Sequence, residues 1–285
     1  MNKRPLVSIL MTAFNRETFI AEAIESVIDS NYANWELIIT DDCSTDNTLA
    51  IAKDYASKDM RITVYKNPFN LGDYPNRNKA ASYAQGDYIV IVDSDDKLIA
   101  GNLEKWIAAM VLMEASFGIF SFGTDAAMKY MEPEQTIRTH FFIKPLLNYG
   151  PIATIISTDY FRSIQGFPVK YGVANDMYYN LKAASGTKTV IFPFPLVEYR
   201  RHEGQEINNS YSYLYNSYLY LRDALIELNL PLLDDEKLFL QNKNKRRFFI
   251  NIIKFFWKTK DIRKIRNALK MAEFRFKDAL TAVFH

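Results

Sequence analysis

Short apolar runs alternate with amphipathic stretches along the first 122 residues of the chain. Apolar runs bounded by polar turns are typical of buried strands, and the stretches between them place apolar residues at helical spacing. This alternation indicates parallel β-α-β units and therefore an α/β fold. The predicted strands are residues 6–12, 35–41, 62–66, 88–92 and 118–122, and the predicted helices are residues 18–30, 48–57 and 75–84, with Asn47 as a cap and Pro75 as a first helical residue.

The pattern is less regular after residue 122. It predicts a strand at 152–157, a short helix at 159–164, a helix at 173–184 and a strand at 189–192. Beyond about residue 205 the chain reads as helical, beginning with a tyrosine-rich segment. We therefore predict two domains, residues 1–204 and a helical C-terminal extension at 205–285.

Charge separates the extension from the rest of the chain. Residues 243–278 contain 13 Lys or Arg and 3 Asp or Glu, a net charge of +10, so the remainder carries −8 against a total of +2. Cys43 is the only cysteine, which excludes an intrachain disulfide and a cysteine-based metal site. The N-terminal residues lack the apolar core of a signal peptide, and no apolar run reaches the length of a membrane span. We expect a cytoplasmic protein.

Acidic side chains follow two of the predicted strands. Asp93-Ser94-Asp95-Asp96 ends the strand at 88–92, and Asp41 to Asp46 begins at the end of the strand at 35–41. Three carboxylates at the end of a buried strand need compensating charge, which points to a metal ion and an anionic ligand at this edge of the sheet. The alternative is that Ser94, Asp95 or Asp96 caps the helix that contains residues 103–113.

Four motifs occur together and in order: Val7 to Asn15, Asp41 to Thr48, Asn70-Leu71-Gly72 with Arg77-Asn78, and Asp93 to Asp96. Together they resemble the family 2 glycosyltransferases, over roughly residues 5–209. The resemblance implies a GT-A fold, which is a Rossmann-like, mostly parallel sheet flanked by helices. It also implies a nucleoside-diphosphate sugar donor, most often a UDP-sugar. The donor-binding residues that it implies are Thr12, Ala13, Phe14, Asn15, Asp41, Arg77, Asp93 and Ser94.

The resemblance also implies the metal site and the catalytic base. Asp95 matches the direct ligand of Mg²⁺ or Mn²⁺, ions that favour oxygen ligands. His202 matches a further metal ligand, with a structural role as the alternative, and Arg200 or Arg201 matches a phosphate contact. Asp176 matches the base of an inverting displacement, although the family commonly has Glu where this chain has Asn175. Cys43 stands where the family often has Gly.

The basic tail interleaves aromatic and cationic residues. On a helix, Arg247, Asn251, Lys254 and Lys258 form a narrow polar stripe, and the broad apolar remainder suits the surface of an anionic membrane. A second helical stripe is predicted over Ile262, Ile265, Leu269, Ala272, Phe276 and Leu280. The alternative is that both helices pack on the body or on a second copy. No nucleic-acid-binding module accompanies the basic residues, so we expect no nucleic-acid partner.

These features predict an inverting, metal-dependent glycosyltransferase that extends a glycan or a lipid-linked glycan of a bacterial surface polysaccharide, in the cytoplasm or peripheral at the inner face of the cell membrane. The main alternative is a non-catalytic protein that binds a sugar nucleotide or a glycan, which the altered Asn175-Asp176 pair favours. A nucleotidyltransferase fits less well, because the first loop lacks a glycine-rich, basic cradle for a triphosphate.

Overall fold

The computed structural model describes residues 4–123, 127–202, 210–275 and 278–279. The strands are β1 Val7–Ala13, β2 Trp35–Asp41, β3 Ile62–Lys66, β4 Tyr88–Ile91, β5 Lys97–Leu98, β6 Phe117–Phe120, β7 Lys129–Met131, β8 Thr154–Ser157, β9 Thr189–Phe192 and β10 Val197–Glu198. The helices are α1 Ile20–Ile28, α2 Thr48–Lys58, α3 Asp73–Ser82, α4 Asn102–Leu112, α5 Pro133–Phe142, α6 Thr158–Ser163, α7 Asn175–Gly186, α8 Ser210–Glu227, α9 Asp234–Thr259 and α10 Ile262–Met271.

Over the described residues, eight strands form one mixed sheet in the order β3-β2-β1-β4-β8-β6-β9-β7. The first four strands in this order are parallel, and β8 pairs antiparallel with both β4 and β6. The chain adds β2 and β3 on one side of β1 and then β4 on the other. The boundary between β1 and β4 is therefore a topological switch point, where open α/β sheets bind ligands. The predicted α/β fold with a mostly parallel sheet is confirmed.

The sheet has an apolar core on each face, because alternate residues of a strand point to opposite sides. Val7, Ile9 and Met11 of β1 pack with α1, α2 and α4 on one face. Leu10 of the same strand packs with α3, α6 and α7 on the other face. Both faces are therefore covered, and the carboxyl edge of the sheet is left for the loops that follow β1, β2 and β4.

Three local predictions were wrong. Helix α3 begins at Asp73, so Pro75 is its third residue, a position where the missing N–H is tolerated because the first turn has unpaired donors. Asn47 occupies the cap position of α2, but its side chain makes no capping hydrogen bond to the helix. Asp46 instead accepts from the Thr48 N–H at 3.0 Å. Helix α4 begins at Asn102, too far along the chain for Ser94, Asp95 or Asp96 to cap it.

The less regular stretch after residue 122 contains two elements that the pattern did not reveal. Strand β7 lies at the sheet edge with mostly exposed residues, and α5 buries Thr136, Ile137 and His140. Only one of these three is a strongly apolar residue. Apolar periodicity was therefore too weak to predict the helix.

The C-terminal extension packs on the body through α8. This helix contacts α7 and the 3₁₀ turn Gly172–Ala174, and its Leu219 and Ala224 join the core on that face of the sheet. Helices α8, α9 and α10 also share a separate apolar cluster of Tyr218, Phe248, Ile252, Ala268 and Ala272.

Some predictions about the extension fall outside the described residues, namely the domain boundary at 204/205 and the stripe residues Phe276 and Leu280. Among the helices that the structure describes, none has the length and apolar character needed to cross a membrane.

Candidate active site

A cleft of about 1900 Å³ opens at the carboxyl edge of β1 and β4 and extends to the start of α7. The predicted site residues that line it are Thr12, Ala13, Phe14, Arg77, Asp93, Ser94, Asp95 and Asp176. Asn15, Asp41 and His202 are not among the described residues that line the cleft, and each of them instead contacts a loop that forms it.

The acidic cluster after β4 brings three carboxylates together. One oxygen from each of Asp93, Asp95 and Asp96 lies within 4.8 Å of the others. Burial raises the pKa of Asp96 to about 7, and the neighbouring Asp93 charge adds to this effect. Carboxylates that oppose one another's ionisation in this way favour a bound cation, and an all-oxygen donor set suits Mg²⁺ or Mn²⁺. The residues therefore fit the divalent ion that the family resemblance implies.

Asp93 is fixed by Arg77 of α3. The guanidinium makes a two-pronged contact, with Nη1 to Oδ1 at 2.6 Å and Nη2 to Oδ2 at 3.0 Å. Its Nε donates to Asp73, one turn earlier on the same helix, at 2.8 Å. Burial raises the pKa of Asp93 although Arg77 opposes this shift. Arg77 thus lies against the acidic cluster and is buried.

Asp95 is held from two sides through one of its oxygens. Arg16 Nε and His202 Nε2 both lie 2.9 Å from Oδ2. Burial opposes ionisation of Asp95, but the contacts with His202 and Arg16 outweigh it and lower the pKa. The His202 ring also stacks on Phe19 at 4.9 Å between centroids. Since both contacts use Oδ2, Oδ1 can serve as a metal ligand.

Two adjacent arginines have different positions. The Arg200 backbone N–H donates to Asp96 Oδ1 at 2.9 Å, and its side chain reaches Glu22 at 3.0 Å and the Phe19 carbonyl at 3.2 Å. Arg200 therefore positions the acidic loop. Arg201 is exposed and lines the cleft, so it is the member of the pair that fits the predicted phosphate contact.

The loops after β1, β2 and β4 are joined to one another beside the acidic cluster. Ser94 Oγ donates to the Thr12 carbonyl at 2.8 Å, and Asn15 Oδ1 accepts from the Thr45 N–H at 2.9 Å. Phe14 is 43% exposed and lines the cleft, where its ring can contact a base. These contacts fix the loops that hold the predicted donor-binding residues Thr12, Asn15 and Ser94.

Asp41 is fully buried at the end of β2, and its Oδ2 accepts from the Ser44 N–H at 3.1 Å. Its Oδ1 has no hydrogen-bond partner among the described residues. The neighbouring Asp42 lines the cleft and accepts the Leu71 and Gly72 N–H groups at 2.8 and 2.9 Å, which fixes the Asn70-Leu71-Gly72 turn. Cys43 adopts a left-handed φ of 65°, a conformation that glycine adopts with least strain.

Asp176 is the second residue of α7 and lines the same cleft. Burial raises its pKa to about 7, against the stabilising Met177 N–H, which donates to Oδ1 at 2.8 Å. A carboxyl group with a pKa near neutrality is suited to proton transfer at physiological pH. Asn175, the departure from the common Glu, is buried, and its Oδ1 accepts from the Tyr171 N–H at 2.8 Å. It fixes the turn before α7 and leaves Asp176 facing the cleft.

Sequence reasoning missed Arg16 and Asp42, which line the cleft beside the predicted residues. The only signal for either was its position next to a predicted residue, Asn15 or Asp41. Arg16 contacts Asp95, which lies 79 residues further along the chain. A position next to a predicted residue does not reveal such a contact.

The model of the family described as Glycosyl transferase family 2 matches residues 8–161. This match covers more than half of the chain. The chain belongs to glycosyl transferase family 2. The part of the chain that matches this family includes the acidic cluster and Arg77 but ends before Asp176 and His202.

Solved structures extend the likeness of this family 2 chain beyond residue 161. TarS of S. aureus, residues 1–349 in complex with UDP-GlcNAc, has a TM-score of 0.73 at 20% identity and covers 92% of this chain and 79% of its own. The mannosyltransferase PcManGT from Pyrobaculum calidifontis, in complex with GDP-Man and Mn²⁺, has a TM-score of 0.60 at 13% identity and covers 99% and 88%. At these identities the likeness shows a shared fold.

A curated relative, the Escherichia coli UDP-Glc:alpha-D-GlcNAc-diphosphoundecaprenol beta-1,3-glucosyltransferase WfgD, is 42% identical over 112 residues, which is 39% of this chain and 44% of WfgD. The chain spans less than half the length of the first curated relatives that it matches.

Proposed function

We propose that this protein is an inverting glycosyltransferase that moves a sugar from a UDP-sugar to a hydroxyl group of a glycan acceptor. The observation that carries the proposal is that one cleft contains both the three-carboxylate cluster and the buried Asp176. The UDP-GlcNAc bound to TarS and the UDP-glucose in the name of WfgD support UDP as the nucleotide.

In this mechanism Asp176 acts on the acceptor, and the acidic cluster acts on the donor. Asp176, in its ionised form, accepts the proton of the acceptor hydroxyl as that oxygen attacks the anomeric carbon. The new glycosidic bond forms on the face opposite the breaking bond to the nucleoside diphosphate. UDP leaves with the bonding electron pair. A single displacement of this kind inverts the anomeric configuration.

The acidic cluster supports the departure of the nucleotide. A Mg²⁺ or Mn²⁺ ion held by Asp93, Asp95 and Asp96 would supply Lewis-acid neutralisation of the leaving diphosphate. Arg77 orients Asp93, and Arg16 with His202 orients Asp95, while Arg201 adds an exposed positive charge at the cleft. Phe14 and the loop that Asn15 joins to Thr45 would bind the base.

We further propose that the enzyme extends a surface polysaccharide at the cytoplasmic face of an anionic membrane. The polysaccharide is supported by the diphosphoundecaprenol-linked substrate in the name of WfgD. Membrane association is supported by the exposed Ile250, Ile253 and Trp257 on α9, with basic side chains beside them. Exposed apolar and basic residues on one helix are typical of interfacial membrane binding.

Calorimetric titration with UDP tests the donor site. We expect UDP to bind in Mn²⁺, to lose most of its affinity in EDTA, and to bind at least tenfold more weakly to Asp95→Asn. The matched control is Asp159→Asn, which changes a fully exposed carboxylate on α6 and should bind like the unchanged protein. Absence of UDP binding under every condition would contradict the proposal. Binding without hydrolysis or transfer would favour the non-catalytic alternative.

A further inference from the structure

A second cavity lies between the C-terminal extension and the body. It has a volume of about 630 Å³ and is bounded by α8, α9, the first turn of α10 and residues Asn148 and Met177 of the body. Asn148, Met177 and Tyr213 line both this cavity and the catalytic cleft. The two cavities are therefore adjacent, and Met177, the residue after Asp176, lies between them.

The lining of this cavity is cationic. Arg247, Lys254 and Lys258 contribute to it from α9 and Lys264 from α10, and no carboxylate is among the described residues that line it. Arg247, Asn251, Lys254 and Lys258 are the polar stripe predicted from the sequence. On this helix the stripe faces the cavity beside the active site, and the neighbouring apolar residues Ile250, Ile253 and Trp257 are exposed.

The cations of the stripe differ in their partners from Lys245 and Arg222 of the extension. Lys245 pairs with Asp278 at 3.1 Å and Arg222 with Asp223 at 2.7 Å. Among the described residues, no salt bridge joins a carboxylate to Arg247, Lys254 or Lys258, and Lys264 approaches Asp261 at 3.8 Å. Several positive charges that converge on a cavity without a counter-charge attract an anion.

The cavity also contains neutral polar side chains. Ser217 and Asn251 line it alongside the cations, and the Tyr211 hydroxyl, which also lines it, donates to the Lys264 carbonyl at 3.1 Å. Tyr220 lines the cavity, and burial raises the pKa of its phenol to about 12. Met177 follows the proposed base Asp176 in α7 and lines the cavity together with Arg247, so an anion held there would lie near the base.

The proposed function assigns the donor diphosphate to the three-carboxylate cluster. A separate cationic pocket near the base is therefore available to the other substrate. Resting on the proposed function, we propose that this basic pocket binds the diphosphate of an acceptor whose sugar is linked through a diphosphate to a lipid. The acceptor sugar would then extend from the pocket to Asp176, and the lipid would leave along the exposed apolar face of α9.

Binding of farnesyl diphosphate in EDTA tests the proposal, because without a divalent ion the carboxylates of the donor site repel a diphosphate. The variants are Arg247→Gln and Lys254→Gln. The matched control is Arg246→Gln, an exposed arginine adjacent in sequence that does not line the pocket. We expect each pocket variant to weaken binding about tenfold and the control to change it less than twofold. Inorganic pyrophosphate should follow the same order.

Two further measurements separate the outcomes. Flotation with phosphatidylglycerol vesicles should change no more for Arg247→Gln than for Arg246→Gln. A loss of vesicle binding without a loss of farnesyl diphosphate binding would overturn the proposal in favour of a headgroup site. Equal diphosphate binding by Arg247→Gln and Arg246→Gln would also overturn it. UDP titration with Mn²⁺ on the same proteins tests the donor site independently, so a failure of the proposed function is seen separately.

Discussion

Arg77 and Arg16 show how single cations organise the acidic cluster. Arg77 binds the carboxylate of Asp93, and Arg16 binds the carboxylate of Asp95. Each arginine thus fixes the orientation of one carboxylate of the cluster. An unpaired buried carboxylate would be costly, and a paired one is held in a defined orientation. Both arginines therefore position the acidic cluster, and direct contact of Arg77 with a donor stays a prediction.

The ionised carboxylate of Asp176 is the form that the proposed reaction needs, and it is also the form that lowers the stability of the fold. Its pKa rises from 3.8 to about 7 because it is buried, and Asp73 adds repulsion that Arg77 opposes. The folded protein thus binds this proton more tightly than the unfolded chain does. Stability is lost as the pH rises between these two values, and the ionised form needed for catalysis is the less stable one.

Replacing Asp176 by Asn should therefore abolish activity and stabilise the fold. We expect transfer to fall by a factor of about 100 or more, because the base is removed. The free energy of unfolding should rise relative to the unchanged protein by about 2 kcal/mol more at pH 8 than at pH 5. Denaturant unfolding in EDTA at both pH values measures this difference. Asp159→Asn on exposed α6 should show no such pH dependence, and a pH-independent difference for Asp176→Asn would contradict the raised pKa.

The sequence was sufficient to name candidate site residues but not the contacts that those residues make. Asp93, Asp95 and Asp176 could be named because their motifs are local. Their partners lie far along the chain: Arg77 is 16 residues from Asp93, and His202 is 107 residues from Asp95. Such pairs depend on which strands are neighbours in the sheet, and a pattern of apolar residues does not give the strand order.

At the scale of elements, apolar periodicity predicted the buried strands and the helices that cover them. It failed where burial is slight, as in β7 and α5, and at helix starts, which depend on hydrogen bonds of single side chains such as Asp46. The two-residue strands β5 and β10 were also missed, because a pair this short has no period. Their pairing, Leu98 with Val197, places the segment of Arg200 beside the acidic loop.

Gly172 lies where the turn before α7 packs closely against α8. It has a left-handed φ of 49°, and a Cβ added there would lie 2.7 Å from Asn216 Nδ2 of α8. The Asn216 amide itself donates to Ser212 at 3.0 Å. The absence of a side chain thus lets the C-terminal extension approach the turn that presents Asp176.

We expect Gly172→Ala to lower the free energy of unfolding by about 2 kcal/mol, from backbone strain and from displacement of Asn216. Transfer should also fall, because the turn before Asp176 shifts. The matched control is Gly150→Ala in the same cleft, whose Cβ would meet only Asp176 Oδ2 at an ordinary 3.9 Å. Denaturant unfolding and transfer assays on both variants measure the effects. If both variants are equally stable, the close contact with α8 does not matter.

At the scale of the whole molecule, opposite charges are separated along the chain. Residues 243–278 carry a net +10, and the rest of the chain carries a net −8. The tail was predicted either to pack on protein or to bind a membrane, and α9 has one face suited to each. Phe248 and Ile252 pack against α8 and α10, while Ile253 and Trp257 are exposed. The Lys260 ammonium lies 3.9 Å from the Trp257 ring centroid, so the exposed surface is apolar with positive charge at its border.

This surface predicts binding to anionic vesicles that depends on both of its components. The double variant Ile253→Ser with Trp257→Ser should reduce the partition onto phosphatidylglycerol vesicles by at least tenfold, because burial of each side chain in the interface contributes roughly 1.5–3 kcal/mol. Raising the salt concentration should weaken binding of the unchanged protein, since surface charges are screened. Flotation measures both effects. Leu112→Ser, an 81% exposed residue of α4, is the control. Equal recovery of the double variant and the control with the vesicles would contradict membrane binding by this face. The same apolar residues would then be expected to contact another protein surface, such as that of a second copy of the chain. Analytical ultracentrifugation would show such a dimer.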